Sequence, residues 1–219
     1  MNHSMLFAVR LALFAALVWI GSACAGDRSV GAPLLTEGFT STFPGANWTV
    51  PGTTGSGTST QIVNTGNPVL TFSTTGPVAS SSQTTTLGSF NNPNLTIAVQ
   101  EAVTTATPSL AGVSTISIVD GSNAVVGTAA WDNATGTVSF TIAGLPAPAT
   151  ATLPSDGSFH TFKFQVDSVG TATWMLDGGT KQTTLNFPAG MLKLRLSASF
   201  PAGSAWPAFS FDNISVTSP

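Results

Sequence analysis

Hydrophobic and polar residues alternate with a period of two in many short segments of the chain. In TVSFTIAG, Val138, Phe140 and Ile142 fall on one face, while serine and threonine occupy the other. In MLKLRLSAS the leucines at 192, 194 and 196 alternate in the same way. Since a two-residue period places successive side chains on opposite faces of an extended chain, these segments are predicted to be half-buried β-strands. No segment of comparable quality shows a helical period.

Further strands are predicted between loops rich in Gly, Pro, Asn and Asp. They are QIVNT near 61, VLTFS at 69, ASSSQTTT at 79, NLTIAVQEAVTT at 94, VSTISIVD at 113, AVVGTAAW at 124 and FSFDNISVT at 209. The segment PGTTGSGTST, 51–60, is predicted to be a glycine-rich loop. Roughly ten to thirteen strands in one domain favour two packed sheets over one open sheet. The prediction is an all-β fold, an antiparallel two-sheet jelly-roll-like sandwich.

The stretch FHTFKFQVDSVGTATWMLDGG is predicted to be a hairpin. His160 shares the apolar face with Phe162 and Phe164. Asp167 begins one turn, and Asp177 begins another with two glycines after it. We therefore interpret both aspartates as turn residues and His160 as a hydrogen-bonded structural histidine, with a role in a binding site as the alternative.

The chain begins with the features of a secretory signal peptide. One arginine precedes the apolar run LALFAALVWI, which is much shorter than the ~20 residues of a membrane-spanning helix, and GSACAGD follows. Cleavage after Ala25 would remove residues 1–25 and, with them, Cys24. Alternatively, Gly21-Ser22-Ala23-Cys24 resembles a bacterial lipobox, in which Cys24 carries a lipid anchor. Residues 26–33 are predicted to be a linker, and 34–219 a single domain.

Composition limits the classes of function. Charged residues make up 7% of the chain and its formal net charge is −3, so there is no basic patch for nucleic acid. A chain with 42% hydrophobic residues and 14 phenylalanines is expected to fold. With a single cysteine, it cannot form an internal disulfide. Its stability must come from the hydrophobic core.

Three segments together resemble a known superfamily. FHTFKFQVD followed by a turn and WMLDGG, a terminal FDNISVT, and the opening EGFTSTFPGANWTV are similar to the concanavalin A-like lectin/glucanase and laminin-G-like superfamily. The resemblance covers residues 34–217 and implies a β-sandwich, without assigning a chemistry to it.

The resemblance also implies a calcium site. Related carbohydrate-binding modules hold a structural Ca²⁺ between a carboxylate on the first strand and an aspartate on the last, which makes Glu37 and Asp212 the candidates here. Ordinary turn and bulge polarity is the alternative. In FSFDNISV, Phe209 and Phe211 are odd-numbered whereas Ile214 and Val216 are even-numbered. A β-bulge is therefore expected at Asp212 and Asn213.

The sequence carries few signs of catalysis. Glycosidases of the superfamily use paired carboxylates, often as E-x-D-x-x-E, but Glu37 and Glu101 are the two glutamates of this chain. G-x-S-x-G and zinc-ligand patterns are also absent from the sequence. Glu101 falls on the apolar face of its strand. It is either a charge that deters pairing at a sheet edge or a polar contact in a ligand groove.

Three tryptophans lie in or beside loop-like segments: Trp48, Trp131 and Trp206. Exposed rings at a sheet end could stack on sugars, with Asp132 and Asn133 binding hydroxyl groups. Alternatively, each ring caps the core.

These observations predict an exported, non-catalytic sandwich, secreted or held at a bacterial cell surface. Its expected partner is carbohydrate or another extracellular surface component, bound through Trp131, Asp132, Asn133, Trp206 and Glu101. A subunit of an extracellular matrix, fibre or surface layer is the alternative, and a glucanase-type hydrolase is third.

Overall fold

The structure, a computed structural model, describes residues 33–40, 48–49, 52–54, 57–64, 67–74, 81–91, 94–104, 111–201 and 208–218. The predicted leader, Cys24, most of the predicted linker and Trp206 lie outside the described residues. All described strands belong to one compact unit, Gly31–Pro219.

The described residues form fifteen strands and no helix, and none of them could therefore cross a membrane as a helix. The strands are β1 Pro33–Glu37, β2 Gly52–Thr54, β3 Gly57–Asn64, β4 Asn67–Thr74, β5 Ser81–Asn91, β6 Leu95–Thr104, β7 Val113–Asp120, β8 Val125–Asp132, β9 Thr137–Ile142, β10 Ala149–Thr152, β11 His160–Val166, β12 Ala172–Leu176, β13 Gly179–Thr184, β14 Met191–Phe200 and β15 Ala208–Thr217. The predicted count was too low. The prediction of a loop at 51–60 was also wrong, since this segment contains β2 and the start of β3. The threonines of these strands favour an extended backbone.

The strands pair in two antiparallel sheets, which confirms the predicted sandwich. The first sheet has the order β13-β12-β11-β6-β15-β4-β3, with β1 also paired to β15. The second has the order β10-β9-β8-β7-β14-β5-β2.

Side chains from the two sheets meet in one aromatic core. The predicted inward faces are confirmed: Val138, Phe140 and Ile142 are buried, as are the three alternating leucines of β14. Ring contacts cross the interior, for example Phe140 of β9 against Phe162 of β11 with centroids 6.2 Å apart. Burial of each phenylalanine contributes about 1.5–3 kcal/mol, so a core of this kind can hold the sandwich without a disulfide.

The predicted β-bulge in β15 is confirmed. The pairing of β15 with β6 shifts register between Asp212 and Ser215, and Asn213 has a φ of 46°. Phe211 before the bulge and Ile214 after it are both buried. The extra residue thus keeps the two halves of β15 facing the core.

The sandwich has two distinct ends. At one, which we call the cleft end, the turn 133–136 and the loop 153–159 meet β6, because Leu153 N donates to Gly136 O and Gly157 N donates to Val103 O. At the other, the base end, the turns 121–124 and 167–171 meet the loop 185–190.

Candidate functional site

A cleft of about 600 Å³ opens at the cleft end. Two short segments line it, Asn133–Gly136 from the β8–β9 turn and Thr152–Ser155 from the end of β10 and the loop after it. Their side chains supply an amide and three hydroxyl groups, with Leu153 and Pro154 as apolar surface. This mixture suits a neutral, polar ligand that both donates and accepts hydrogen bonds.

Gly136 allows the two walls of the cleft to approach each other. Its φ is +66°, and its carbonyl accepts a hydrogen bond of 2.8 Å from Leu153 N. A Cβ at this position would lie 2.8 Å from Leu153 O, which is closer than real Cβ contacts come. The shape of the cleft therefore depends on this glycine.

Asp132 is held by a hydrogen bond within the turn, and Asn133 by one to the segment that precedes β7. Asp132 Oδ1 accepts from Ala134 N at 2.9 Å, and Asn133 N donates to Gly112 O at 3.0 Å. Asn133 is buried at the cleft wall, whereas Thr135 is exposed. The structure thus places the predicted polar pair in and beside the cleft.

Four side chains form a polar group inside the sandwich, behind this end. Glu101 and His160 are cross-strand partners in the first sheet, and Ser114 and Trp131 are partners in the second. The Ser114 hydroxyl donates to Glu101 Oε1, and the ring of Trp131 meets that of His160 edge-on with centroids 5.7 Å apart. We call these four residues the interior cluster. It brings together Glu101 and Trp131, which are far apart in sequence.

Burial keeps the Glu101 carboxyl neutral. Its side chain is 1% exposed, and desolvation raises its pKa from 4.5 to about 8, although the bond from Ser114 opposes the shift. The interpretation of Glu101 as a sheet-edge charge was wrong, because β6 lies between β11 and β15. Glu101 is an internal hydrogen-bonding group.

His160 has the partner that a structural histidine needs. Its Nδ1 lies 2.8 Å from Asp177 Oδ2, and the other oxygen of Asp177 accepts 2.8 Å from Thr161 N. Partial burial raises the pKa of Asp177, but the bonds from Thr161 and His160 outweigh this and hold it below its usual value. Asp177 therefore orients the imidazole as well as forming the predicted turn.

Two buried nitrogens of the interior cluster make no hydrogen bond within the described part of the chain, His160 Nε2 and Trp131 Nε1. A buried polar group without a partner costs about 1–3 kcal/mol. The cluster is thus kept polar at some expense of stability, as is common at functional sites.

Two of the three predicted tryptophans are buried. Trp131 is 1% exposed, so neither face of its ring can stack on a sugar in this conformation. Trp48 is also buried, against Phe39 with centroids 6.0 Å apart. Trp206 lies outside the described residues.

The calcium candidates lie on paired strands. Glu37 is opposite Ile214, two residues after Asp212. The oxygens of Glu37 accept hydrogen bonds from Phe39 N at 2.7 Å and Trp48 Nε1 at 3.2 Å. Among the described residues, no three His, Cys, Asp or Glu side chains form a group able to hold a metal ion. Ca²⁺ takes six to eight oxygen ligands, which can include backbone carbonyls, and the calcium site stays a prediction from the resemblance.

Sequence reasoning missed two features of the site. One is the pair of His160 and Asp177, which the antiparallel register of the β11–β12 hairpin could have indicated. The other is the cleft wall from Thr152 to Ser155, for which the sequence held no signal, since it follows from a contact between distant loops.

Comparison with known proteins gives structural matches and no sequence matches. No protein-family model and no curated protein matches the chain. The carbohydrate recognition domain of Emp47p superposes with a TM-score of 0.62 at 14% identity, over 88% of this chain and 98% of that domain. A GH16 protein of a mixed-linkage glucan locus of Bacteroides ovatus gives 0.60 at 9%, over 84% and 99%.

An endo-β-1,4-glucuronan lyase of the fungus Trichoderma reesei gives a TM-score of 0.54 at 11% identity, over 86% of this chain and 96% of the lyase. Such identities establish the fold and leave the chemistry open. The chain has the concanavalin A-like lectin/glucanase sandwich fold that its sequence resembles.

Proposed function

We propose that this chain is an exported, non-catalytic sandwich that binds carbohydrate or another extracellular surface component in the cleft between Asn133–Gly136 and Thr152–Ser155. The observation that carries the proposal is the chemistry of this cleft. Hydroxyl and amide groups line about 600 Å³ at the end of a concanavalin A-like sandwich. Sugar hydroxyls both donate and accept hydrogen bonds, as do these groups.

The fold adds support from proteins of similar structure, one of which is named as a carbohydrate recognition domain. The predicted signal peptide would bring the cleft to the extracellular side, where glycans are found.

Two of the carboxyl groups near the cleft favour binding over hydrolysis. A glycosidase needs a carboxylic acid that is still protonated at its working pH and can reach the substrate. Glu101 is protonated near neutral pH, but it is buried and bonded to Ser114. Hydrogen bonds from Ser158 lower the pKa of Asp156, beside the cleft, so this group is ionised and cannot donate a proton.

A glycan array followed by calorimetry tests the proposal. Thr135→Val and Thr152→Val each replace a cleft hydroxyl with a methyl group of equal size. Each should weaken binding about five- to tenfold, the usual effect of one lost hydrogen bond. Thr150→Val is the control, since Thr150 is exposed on the same strand as Thr152 but does not line the cleft.

If the glycan binds saturably and both cleft variants keep the affinity of the unchanged protein, the ligand site lies elsewhere. If no glycan binds and the protein sediments as large assemblies, the matrix or fibre function replaces this one. Release of reducing sugar that Glu101→Gln abolishes would favour the hydrolase.

One observation favours the structural subunit as the second candidate. Among the described strands, β3 forms an edge of the first sheet, and its eight residues GTSTQIVN carry no charge. Charges on edge strands normally prevent pairing between molecules. If β3 builds assemblies, Thr60→Lys should dissolve them in sedimentation experiments while leaving glycan binding intact.

A further inference from the structure

Charged side chains are few between residues 33 and 219, and all of them belong to the described part of the chain. Four are lysine or arginine and eight are aspartate or glutamate. The basic ones are Lys163, Lys181, Lys193 and Arg195, and the acidic ones are Glu37, Glu101, Asp120, Asp132, Asp156, Asp167, Asp177 and Asp212. The position of every such charge in this part of the chain is therefore known.

Two of the aspartates border the cleft. Asp132 directly precedes the lining segment Asn133–Gly136, and Asp156 directly follows the lining segment Thr152–Ser155. Each wall of the cleft thus adjoins one aspartate. Asp132 is half-buried and Asp156 is exposed, so water and a bound ligand can reach both carboxylates.

Backbone hydrogen bonds hold both carboxylates in place. Asp132 Oδ1 accepts from Ala134 N and Asp156 Oδ1 accepts from Ser158 N, each at 2.9 Å. The backbone and side-chain bonds from Ser158 lower the pKa of Asp156. Among the described residues, neither carboxylate has a lysine or arginine nitrogen within 4.0 Å. Their negative charge is therefore not neutralised by a basic partner.

The basic side chains of the second sheet lie away from the cleft. Lys193 donates a hydrogen bond of 2.9 Å to a turn of the base end. Arg195 is opposite Ser117, which in turn is opposite Thr128, four residues before Asp132. At about 3.3 Å per residue and 4.8 Å per strand, the Cα atoms of Arg195 and Asp132 are roughly 16 Å apart. This separation exceeds the screening length of about 8 Å at physiological salt.

The two lysines of the first sheet are not part of the cleft either. Lys163 is opposite Ala98 on one side and Met175 on the other. Lys181 lies on the edge strand β13, close enough to Asp177 to interact with its charge. Neither lysine belongs to the walls of the cleft.

We propose that the cleft selects its glycan by charge: it takes a glycan with free amino groups, such as a polymer of deacetylated hexosamine, and excludes uronates, sialic acids and sulfated glycans. The inference rests on the proposed function, which it narrows to one class of ligand. The hydroxyl and amide groups of the walls suit any sugar, so the two aspartates make the difference. They attract a bound ammonium group and repel a carboxylate or sulfate, which meets no cation on the cleft walls to offset the repulsion.

The expected size of the effect follows from the Coulomb energy in a solvated site. Two unit charges about 4 Å apart in water change an affinity about fivefold. At low salt, the amino form of an oligosaccharide should therefore bind about fivefold more tightly than the uncharged form, and the uronate form about fivefold more weakly. In about 1 M salt the three affinities should agree within about twofold, because the screening length falls to about 3 Å.

A glycan array followed by calorimetry on the full chain tests this order. Oligosaccharides with the gluco, galacto and manno configurations are each presented in three forms of equal length. One form is uncharged, one carries a free amine at C2, and one carries a carboxylate at C6. Calorimetry at low and high salt then measures the three affinities for the backbone that binds most tightly. The expected order at low salt is amino, uncharged, uronate.

Isosteric variants assign the selection to the two aspartates. Asp132→Asn and Asp156→Asn each remove one charge and keep an oxygen for the backbone N–H that the carboxylate accepts from. Each should reduce the ratio of amino to uronate affinity about three- to fivefold. Asp167→Asn is the matched control, since it removes the same charge from a turn of the base end and likewise keeps an acceptor for that turn. It should leave the ratio unchanged.

Two results would overturn charge selection while leaving the glycan site in place. One is a uronate form that binds as tightly as the amino form or more tightly. The other is an order of affinities that neither aspartate variant changes. If no form of any backbone binds, the proposed function itself is wrong and this inference is wrong with it.

Discussion

Glu101 is a carboxyl group that the protein fold keeps protonated at neutral pH. It is buried in the first sheet, and the Ser114 hydroxyl from the opposite sheet is its hydrogen-bond donor. An acid whose pKa is raised on folding stabilises the folded state most below its unfolded pKa, here 4.5, and this stabilisation is lost as the pH rises towards about 8.

We therefore expect the free energy of unfolding to fall between pH 5 and pH 8, by about 2–5 kcal/mol from this group. Glu101→Gln keeps the size and an acceptor for Ser114 but cannot ionise. It should flatten the pH dependence and be the more stable protein at pH 8. Urea denaturation at four pH values measures both, and parallel curves for the two proteins would contradict the burial of a neutral acid.

Asp177 should show the opposite pH dependence. Its pKa is lowered, so its contribution is present above the unfolded pKa of 3.8 and is lost as the pH falls through the folded value. Asp177→Ala removes the acceptors of His160 and Thr161 and should cost about 1–2 kcal/mol at pH 7.

Asp177→Asn is the matched control for this site. Asparagine tolerates the φ of 49° and keeps an oxygen for Thr161 N, so it should retain most of the stability. It should also remove the extra loss of stability below about pH 4. If alanine and asparagine behave alike in denaturant titrations, the role of Asp177 is not in its side-chain hydrogen bonds.

At the scale of the elements, Gly136 determines how the two walls of the cleft meet. Gly136→Ala would combine backbone strain at a φ of +66° with a contact of 2.8 Å to Leu153 O, and should cost about 1–3 kcal/mol. Gly144→Ala is the control, because its φ is +87° but a Cβ would meet nothing within 4 Å. It should therefore cost only the backbone strain, about 1 kcal/mol.

Thermal unfolding and glycan binding should separate these two variants. Gly136→Ala is expected to weaken both stability and binding, whereas Gly144→Ala should affect stability alone. Equal effects on binding would show that the cleft does not depend on the close approach of its walls.

Alternation of side chains made the central elements predictable from sequence. In β9 and β14, large apolar side chains alternate with polar ones, so both the strand and its inward face follow from the residues. The edge elements β10 and β13, with the sequences ATAT and GTKQTT, lack that contrast and were missed. They form strands because β9 and β12 offer them backbone partners.

The same limit applied to the site. Asp132 and Asn133 could be named from the turn that they form, but the cleft needs the loop at 153–155 beside it. The alternation of side chains along its strand placed Glu101 on an apolar face. Its hydrogen-bond partner Ser114, however, comes from the other sheet and could not be predicted in this way. Contacts between sheets depend on how the whole sandwich packs, which local patterns do not encode.

On the scale of the whole molecule, the aromatic core replaces covalent cross-links. Phe211 is fully buried and meets Phe72 edge-on with centroids 5.4 Å apart. Phe211→Ala should lower the free energy of unfolding by about 3–5 kcal/mol. Val169→Ala should change it by less than about 0.5 kcal/mol, since that side chain is 78% exposed. Chemical denaturation of both variants, with and without a reducing agent, checks whether burial alone holds the fold.

The pairing of β1 with the end of β15 has a practical consequence for engineering. Pro33 and Thr217 are paired, so the first and the last described strand both meet the rest of the chain at the base end, opposite the cleft. A fluorescent protein, a purification tag or a bead joined to either flank would not obstruct the opening. Several copies could be joined in tandem or displayed on a particle with their cleft ends pointing outward.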